Sequence, residues 1–465
     1  MHLPRFMLAA PCSGSGKTLL TCGILQALKN RKMKISSFKC GPDYIDPMFH
    51  TRVIGTPSRN LDTYFADAAT VRYLFTRAAE QADCSVMEGV MGYYDGLAGI
   101  STAASSYDLA SVTETPVILV VNARGMSLSL IAHIKGFLEY RQDSHIRGVI
   151  LNQAGPSIFP ELKRMIEREL PVRVYGYVPK VEDCVIESRH LGLVTPDEIG
   201  DLRQRLQKLA GILEQTLDLE GILQLAETAP DPAGEEPVVP ERVAALLQEA
   251  EALPPVRIAV ARDEAFCFYY QDNLDLLEQL GAELISFSPL HDRQLPAADG
   301  LLIGGGYPEL YAGRLCGNQE MLTGIRNAIR AGMPCLAECG GFMYLHESME
   351  DMEGNSRPAV GIVPGHAYRT EKLGRFGYIQ LTAGRDSVFG PAGSSIRGHE
   401  FHYFDSTCNG EAFHAVKPLR KRNWDCMLTD DRSAAGFPHL YYYSNPEFPR
   451  NFLQVCRTYR QNSEN

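Results

Sequence analysis

The feature that most constrains this 465-residue chain is a glycine-rich loop set between an apolar run and a helical pattern near its start. Phe6–Ala10 reads as a short buried strand, Pro11-Cys12-Ser13-Gly14-Ser15-Gly16-Lys17-Thr18 as a loop, and Thr18–Asn30 as a helix. A strand, loop and helix in that order aim backbone N–H groups and a helix N-terminus at a phosphate. Lys17 is expected to reach the outer phosphates, and Thr18 to offer its hydroxyl to magnesium. Pro11 stands where the usual motif has its leading glycine, so the loop is a deviant P-loop.

The alternation continues. Ile35–Lys39, Cys84–Glu88, Pro116–Val121 and Gly148–Asn152 read as buried strands, with a helical pattern at Leu128–Tyr140. Strands alternating with helices imply a parallel sheet covered on both faces. The pattern fades after Leu225, and residues 226–255, rich in Pro, Ala and Glu with one short helix near Arg242–Glu251, read as a linker. It resumes at Val256–Ala261, with Asn273–Leu280 as helix and Glu283–Phe287 and Gly300–Ile303 as strands. The expectation is α/β, two doubly wound parallel-sheet domains at residues 1–225 and 256–465, in keeping with a length beyond one ordinary core.

Two carboxylates, Asp43 and Asp46, follow the second strand in Lys39-Cys40-Gly41-Pro42-Asp43-Tyr44-Ile45-Asp46-Pro47. Beside a phosphate loop they suit magnesium, a hard ion held by one or two carboxylates plus phosphates. The lesser alternative is that each Asp merely caps a turn. Glu88, ending the strand Cys84–Met87 before Gly89, Gly92, Asp95 and Gly96, is the expected second metal anchor.

A second site is written near the C-terminus. Pro334-Cys335-Leu336-Ala337-Glu338-Cys339-Gly340-Gly341-Phe342 reads as strand, sharp turn and helix, with Cys339 placed as the nucleophile of an elbow. A helix N-terminus below the sulfur would favour the thiolate. Gly304-Gly305-Gly306-Tyr307-Pro308-Glu309 could offer backbone N–H groups to an oxyanion. The base is one of His291, His346, His366, His399, His402, His414 and His439; spacing alone leaves the choice open.

The balance of charge narrows the partners. A net charge of −11 argues against nucleic acid or an anionic membrane surface. Twelve scattered cysteines without a CxxC pair suggest a reducing compartment. No apolar stretch reaches membrane-spanning length, and Phe6–Ala10 is too short for a signal segment, so a cytoplasmic protein is expected.

Taken in order, the deviant P-loop, Lys-Cys-Gly-Pro-Asp-Tyr-Ile-Asp-Pro, Arg189-His190-Leu191-Gly192-Leu193, Gly-Gly-Gly-Tyr-Pro-Glu, Ala-Glu-Cys-Gly-Gly and Gly398-His399-Glu400-Phe401-His402-Tyr403 resemble the cobyrinic acid a,c-diamide synthase family across nearly the whole chain. The resemblance implies an N-terminal P-loop NTPase-like domain similar to dethiobiotin synthetase and a C-terminal class I glutaminase domain of flavodoxin-like type. It implies ATP and L-glutamine as co-substrates, Mg2+, and a tetrapyrrole polyacid as substrate; a homodimer is compatible with it. Cys339 is then the glutaminase nucleophile and His439 its base, with Gly305, Gly306 and Gly340 forming the oxyanion and glutamine pocket. Ser13, Gly14, Ser15, Gly16, Lys17, Thr18, Lys39 and Asn152 fall at ATP, with Asn152 a nucleobase contact. Thr18, Asp43, Asp46 and Glu88 fall at the metal, and Asp43, Tyr44, Asp95 and Arg189 toward the substrate.

Two positions depart from the family pattern: Asn122 stands for Asp, and Tyr441 stands where many class I glutaminases carry Glu, which leaves a Cys–His dyad. A nickel sirohydrochlorin substrate stays open within this chemistry, whereas the related cobyric acid synthases are typically longer and differ in the P-loop region. A partition-type ATPase switch is opposed by the Cys339 and His439 pair.

Overall fold

Strands buried on both faces set the architecture of each half. The computed structural model describes residues 2–181, 196–231 and 238–464. It divides into two compact units, Met1–Val239 and Pro240–Asn465.

In the first unit the strands are β1 (Arg5–Ala9), β2 (Ile35–Cys40), β3 (Ser58–Leu61), β4 (Cys84–Glu88), β5 (Val117–Asn122), β6 (Ile146–Asn152) and β7 (Arg173–Val178). All pair in parallel, in the order β3-β2-β4-β1-β5-β6-β7. Every residue of β1 and β4 is buried, as a sheet covered on two faces requires. Helices α1 (Lys17–Asn30), α2 (Ile45–Phe49), α3 (Ala68–Ala79), α4 (Ser106–Val112), α5 (Ser129–Glu139), α6 (Phe159–Glu169), α7 (Pro196–Thr216) and α8 (Leu219–Glu227) complete the unit. Leu20, Ile24 and Leu28 of α1 share a core with Leu206, Leu209 and Leu213 of α7. Because the strands run parallel, the loops after β1, β2, β4 and β6 leave from one edge of the sheet, which is where such folds bind ligands.

Two of these strands had no sequence expectation. β3 (Ser-Arg-Asn-Leu) carries polar side chains that are buried because they are bonded: Asn60 Nδ2 donates to Gly41 O at 2.9 Å and Asp43 O at 2.6 Å. β7 mixes tyrosines with Gly176 and lacks a clean apolar run.

The second unit opens with α9 (Glu241–Glu251), inside the segment read as a linker. Its Arg242 meets Glu447 of α14 (Glu447–Glu464) at 3.4 Å, and Glu249 pairs with Arg450 of the same helix. The strands are β8 (Val256–Ala261), β9 (Phe266–Phe268), β10 (Ala282–Phe287), β11 (Gly300–Ile303), β12 (Gly305–Gly306), β13 (Cys335–Glu338), β14 (His346–Glu350), β15 (Ser356–Pro358), β16 (Val363–Arg369), β17 (Arg375–Ala383), β18 (Ser395–His402), β19 (Phe404–Ser406), β20 (Phe413–Val416), β21 (Asn423–Cys426), β22 (Leu428–Thr429), β23 (Ser433–Gly436) and β24 (His439–Leu440). Helices α10 (Gln271–Gln279), α11 (Ala312–Gly317), α12 (Gln319–Arg330) and α13 (Gly340–Leu345) lie between them.

The main sheet runs β10-β8-β11-β13-β23-β22, parallel but for β22. Its first five strands follow the flavodoxin-like order. Beyond the sequence expectation, β21-β20-β17-β18-β24 forms an antiparallel sheet and β15-β14-β16-β19 a mixed one. Their main strands, β17 and β18, mix buried with exposed and polar positions, so they lack the continuous apolar runs that marked the parallel core. Among the described residues no helix is long and apolar enough to cross a membrane.

Candidate active sites

In the first unit, the loop after β1 needs left-handed backbone at Gly14 (φ 77°) and Gly16 (φ 87°). At Gly16 a side chain is also excluded by space, since a Cβ there would lie 2.5 Å from Asn152 Nδ2. That amide donates to Ser15 O at 2.8 Å and ties the end of β6 to the loop. Ser15 Oγ donates to Cys12 O at 2.8 Å, while Ser13 and Gly14 are exposed. No side chain caps the N-terminus of α1, so its first N–H groups face the loop as an anion site. Lys17 is 8% exposed and donates to Met91 O at 2.6 Å. Burial, and then the Lys39 ammonium, lower its pKa.

The carboxylates surround a lysine. Lys39 Nζ lies 2.5 Å from Asp46, 2.8 Å from Glu88 and 3.9 Å from Asp43. Burial alone would lower the Lys39 pKa, but Glu88 and Asp46 outweigh it and hold it well above the lysine range. Glu88 is fully buried, and desolvation pushes its carboxyl up to about 7 against the pull of Lys39. Thr18 Oγ1 donates to Glu88 Oε1 at 2.6 Å. Asp43 both caps and points inward: its Oδ1 accepts from Ile45 N at 2.8 Å and Asp46 N at 3.2 Å. Tyr44 is buried at the start of α2. Asp95 is exposed and accepts from Gly92 N at 3.1 Å, so its side chain shapes the loop after β4.

Among the described residues no group of three His, Cys, Asp or Glu forms a ready metal cage. The donors present are oxygens, from Thr18 and from acids now paired with Lys39. They fit a hard ion shared with nucleotide phosphates rather than one held by protein alone. His50, which the sequence reading passed over, is fully buried 3.8 Å from Glu88 and bonded to Ser37 Oγ at 2.9 Å. Asn122, the departure at the end of β5, accepts from Arg124 N at 3.0 Å, a turn contact that Asp would make equally. Arg189 and His190, with the rest of their motif, lie outside the described residues.

In the second unit Cys339 follows β13 with φ 49° and ψ −104°, a conformation costly for a side-chain-bearing residue. The strain is held by Cys339 N donating to Gly436 O at 2.8 Å and Gly341 N donating to Gly304 O at 3.0 Å. Burial, then the charges of Glu309 and Glu400, push the Cys339 thiol up. This corrects the expectation of a favoured thiolate: α13 is only six residues long, and desolvation outweighs its N-terminus.

Gly305, Gly306, Gly340 and His439 come together. A Cβ on Gly340 would lie 3.1 Å from Gly306 N, and one on Gly305 would lie 2.4 Å from His439 Cε1. Tyr269 props the glycine loop, accepting from Gly304 N at 2.8 Å and donating to Ala261 O at 2.6 Å. β24 delivers His439 by pairing with β18, where His399 opposes it and stacks at 5.0 Å and 20°. Four of the other histidines are committed elsewhere: His346 to Phe342 O and Ser406, His402 to Phe404 O and Glu400, His414 to Asp425, His291 to Glu264. His402 also stacks flat on Phe437 at 4.0 Å, and Phe437 packs edge-on to Phe342, so the Gly398–Tyr403 motif supports both the elbow and His439. Tyr441 is buried edge-on to Tyr270. Glu338 and Tyr270 had no assigned part in the sequence reading, and His399 was one of seven candidate bases. The fold brings Glu338 and His399 to His439 and sets Tyr270 against His399.

Residues 6–193 match the CobQ/CobB/MinD/ParA nucleotide binding domain, and residues 257–444 match the CobB/CobQ-like glutamine amidotransferase domain. The chain is 40% identical over 458 residues to a cobyrinate a,c-diamide synthase of Caldanaerobacter subterraneus subsp. tengcongensis, covering 98% of each chain. It is 38% identical to one from Dehalococcoides mccartyi strain CBDB1, over 99% of each chain. It is 37% identical to one from Salmonella typhimurium strain LT2, over 97% of this chain and 98% of that one. With both domain matches in order and relatives aligned end to end, the chain belongs to the cobyrinate a,c-diamide synthase family.

Proposed function

We propose that this chain is a carbon–nitrogen ligase that amidates the a and c acetate carboxylates of cobyrinic acid, a step in cobalamin biosynthesis, with ATP and glutamine consumed at each. The observation that carries the reading is the joint presence of a phosphate loop with a buried lysine in one unit and a strained cysteine beside a histidine-facing glycine loop in the other. The full-length relatives that share the name support the substrate. Residues 1–225 act as the synthetase domain and 256–465 as the glutamine amidotransferase domain.

In the synthetase domain, Lys17 and the α1 N-terminus hold the nucleotide phosphates, and the γ-phosphoryl group passes to a substrate carboxylate. Carboxylates are poor electrophiles, whereas the acyl phosphate formed is a good one; ammonia attacks its carbonyl and inorganic phosphate leaves. Thr18 and Glu88, with Asp43 or Asp46, would hold magnesium, which when bound neutralises charge on the transferring phosphate. Lys39 pairs with those acids and offsets part of their charge. Asn152 braces the loop through Ser15 O and remains the nucleobase candidate, and Asp43, Tyr44, Asp95 and Arg189 remain the substrate candidates.

In the amidotransferase domain, Cys339 Sγ gives its proton to His439 and attacks the glutamine amide carbon. The N–H groups of Gly305, Gly306 and Gly340 steady the oxyanion, His439 returns the proton to the departing ammonia, and water hydrolyses the thioester to glutamate. A cytoplasmic setting suits the eleven described cysteines, all of them free.

The test is Cys339→Ser. Glutamine-dependent amidation of cobyrinic acid should vanish while activity with high free ammonia survives. Equal loss with both nitrogen donors would reject the two-site reading. Turnover of a nickel sirohydrochlorin but not of cobyrinic acid would reject the corrin substrate alone.

A further inference from the structure

We propose that Glu338, the residue immediately before the nucleophile, orients His439 and is the positioning carboxylate of the glutaminase. The inference rests on the Cys339 and His439 reading given above.

Glu338 ends β13 beside Gly436 of β23, and the bend at Cys339 follows at once. Its Oε2 lies 3.7 Å from His439 Nδ1, and its Oε1 accepts from Leu440 N at 3.4 Å. The carboxylate is therefore held by the same two-residue strand that carries the histidine. Both side chains are shielded, His439 at 2% and Glu338 at 13% exposed, so solvent screens little of the charge between them.

The Cε1–Nε2 edge of the imidazole supplies the second observation. A Cβ on Gly305 would lie 2.4 Å from His439 Cε1 and 3.3 Å from Nε2. Nδ1 thus faces Glu338, while Nε2 faces the glycine loop beside the elbow. A carboxylate on the Nδ1 side, at an ion-pair distance longer than a hydrogen bond, favours the proton on Nδ1 and leaves Nε2, on the side of the glycine loop, to take the thiol proton. During acylation the Cys339 proton moves to Nε2, the Nδ1 proton stays toward Glu338, and the carboxylate offsets the imidazolium charge until Nε2 gives its proton to ammonia.

The neighbours do not supply that charge. Tyr441 is a phenol packed on Tyr270, and burial, with His439 nearby, keeps His399 well below the usual histidine pKa and so neutral. The carboxylate that class I glutaminases often place two residues after the histidine is here contributed from the strand before the nucleophile.

The experiment uses the full-length chain with E338Q, which keeps the side-chain length and an oxygen for Leu440 N but removes the charge. Glutamine hydrolysis should lose roughly 10- to 100-fold in kcat with KM within about twofold. Ammonia-dependent amidation and the melting temperature should hold. The 15N resonances of His439, assigned by their disappearance in H439Q, should change from one Nδ1–H tautomer to a mixture. Wild-type kcat in E338Q, a loss confined to KM, or a loss of kcat with unchanged His439 resonances would each overturn the proposal. If E338Q melts early, E338D, which keeps the charge but withdraws it, decides by the same kcat and 15N readouts. Glutaminase activity surviving in C339S and H439Q would instead overturn the underlying dyad.

Discussion

Gly305→Ala isolates the geometry of His439 without touching its chemistry. Gly305 has no left-handed φ, so its backbone accepts alanine, and the whole effect comes from the added methyl. That methyl would sit 2.4 Å from His439 Cε1, where ordinary contact begins near 3.4 Å, so the ring must retreat by about 1 Å. The ring cannot retreat freely, because His399 stacks on its face and β24 is pinned to β18. A misplacement of about 1 Å typically costs on the order of 100-fold in rate. Overpacking adds about 1–3 kcal/mol of destabilisation, or a few degrees in melting temperature for a unit of this size. Glutamate release measures the first quantity and a thermal melt the second, with ammonia-dependent amidation as the internal control. A wild-type kcat/KM for glutamine hydrolysis would refute the placement of His439 against the glycine loop, as would equal loss of both activities.

Three further outcomes are expected. Lys17→Ala should suppress amidation with either nitrogen donor by roughly a thousandfold, since activation of the carboxylate precedes nitrogen attack; near-normal ammonia-dependent turnover would remove Lys17 from the mechanism. Tyr441→Phe should keep most glutaminase activity while His439→Ala loses nearly all of it, because a phenol with pKa near ~10 stays neutral at working pH; equal collapse would give Tyr441 a catalytic part. Burial pushes the His50 pKa down to about 4, so the native state refuses a proton that the unfolded chain binds below about 6.5. Stability should therefore fall as pH drops through that window, and urea titrations of wild type and His50→Gln should show their gap narrowing by about 2 kcal/mol between pH 7.5 and 5. A constant gap would contradict the buried, neutral His50.

The local devices of this protein were legible in its sequence, because each is built within about ten consecutive residues. A short apolar run rich in β-branched residues such as Pro116–Val121 reads as a buried strand, and the glycines before Lys17 mark a phosphate loop opening a helix. The same local logic marked Cys339 as the elbow and Val256–Ala261 as the start of a second sheet. Contacts between distant segments were not legible, since nothing in a short window records which strand lies beside which. Polar β3 joins the sheet because Asn60 finds Gly41 O and Asp43 O. Seven C-terminal histidines were equivalent by spacing, and the antiparallel pairing of β18 with β24 brings His439 against Gly305. Acids read as metal ligands or turn caps turn out to enclose Lys39, which is stable in burial because Asp46 and Glu88 surround it. Glu338 looked like one more residue of a buried strand. Its partner lies 101 positions away, and only the folded chain closes that separation to 3.7 Å.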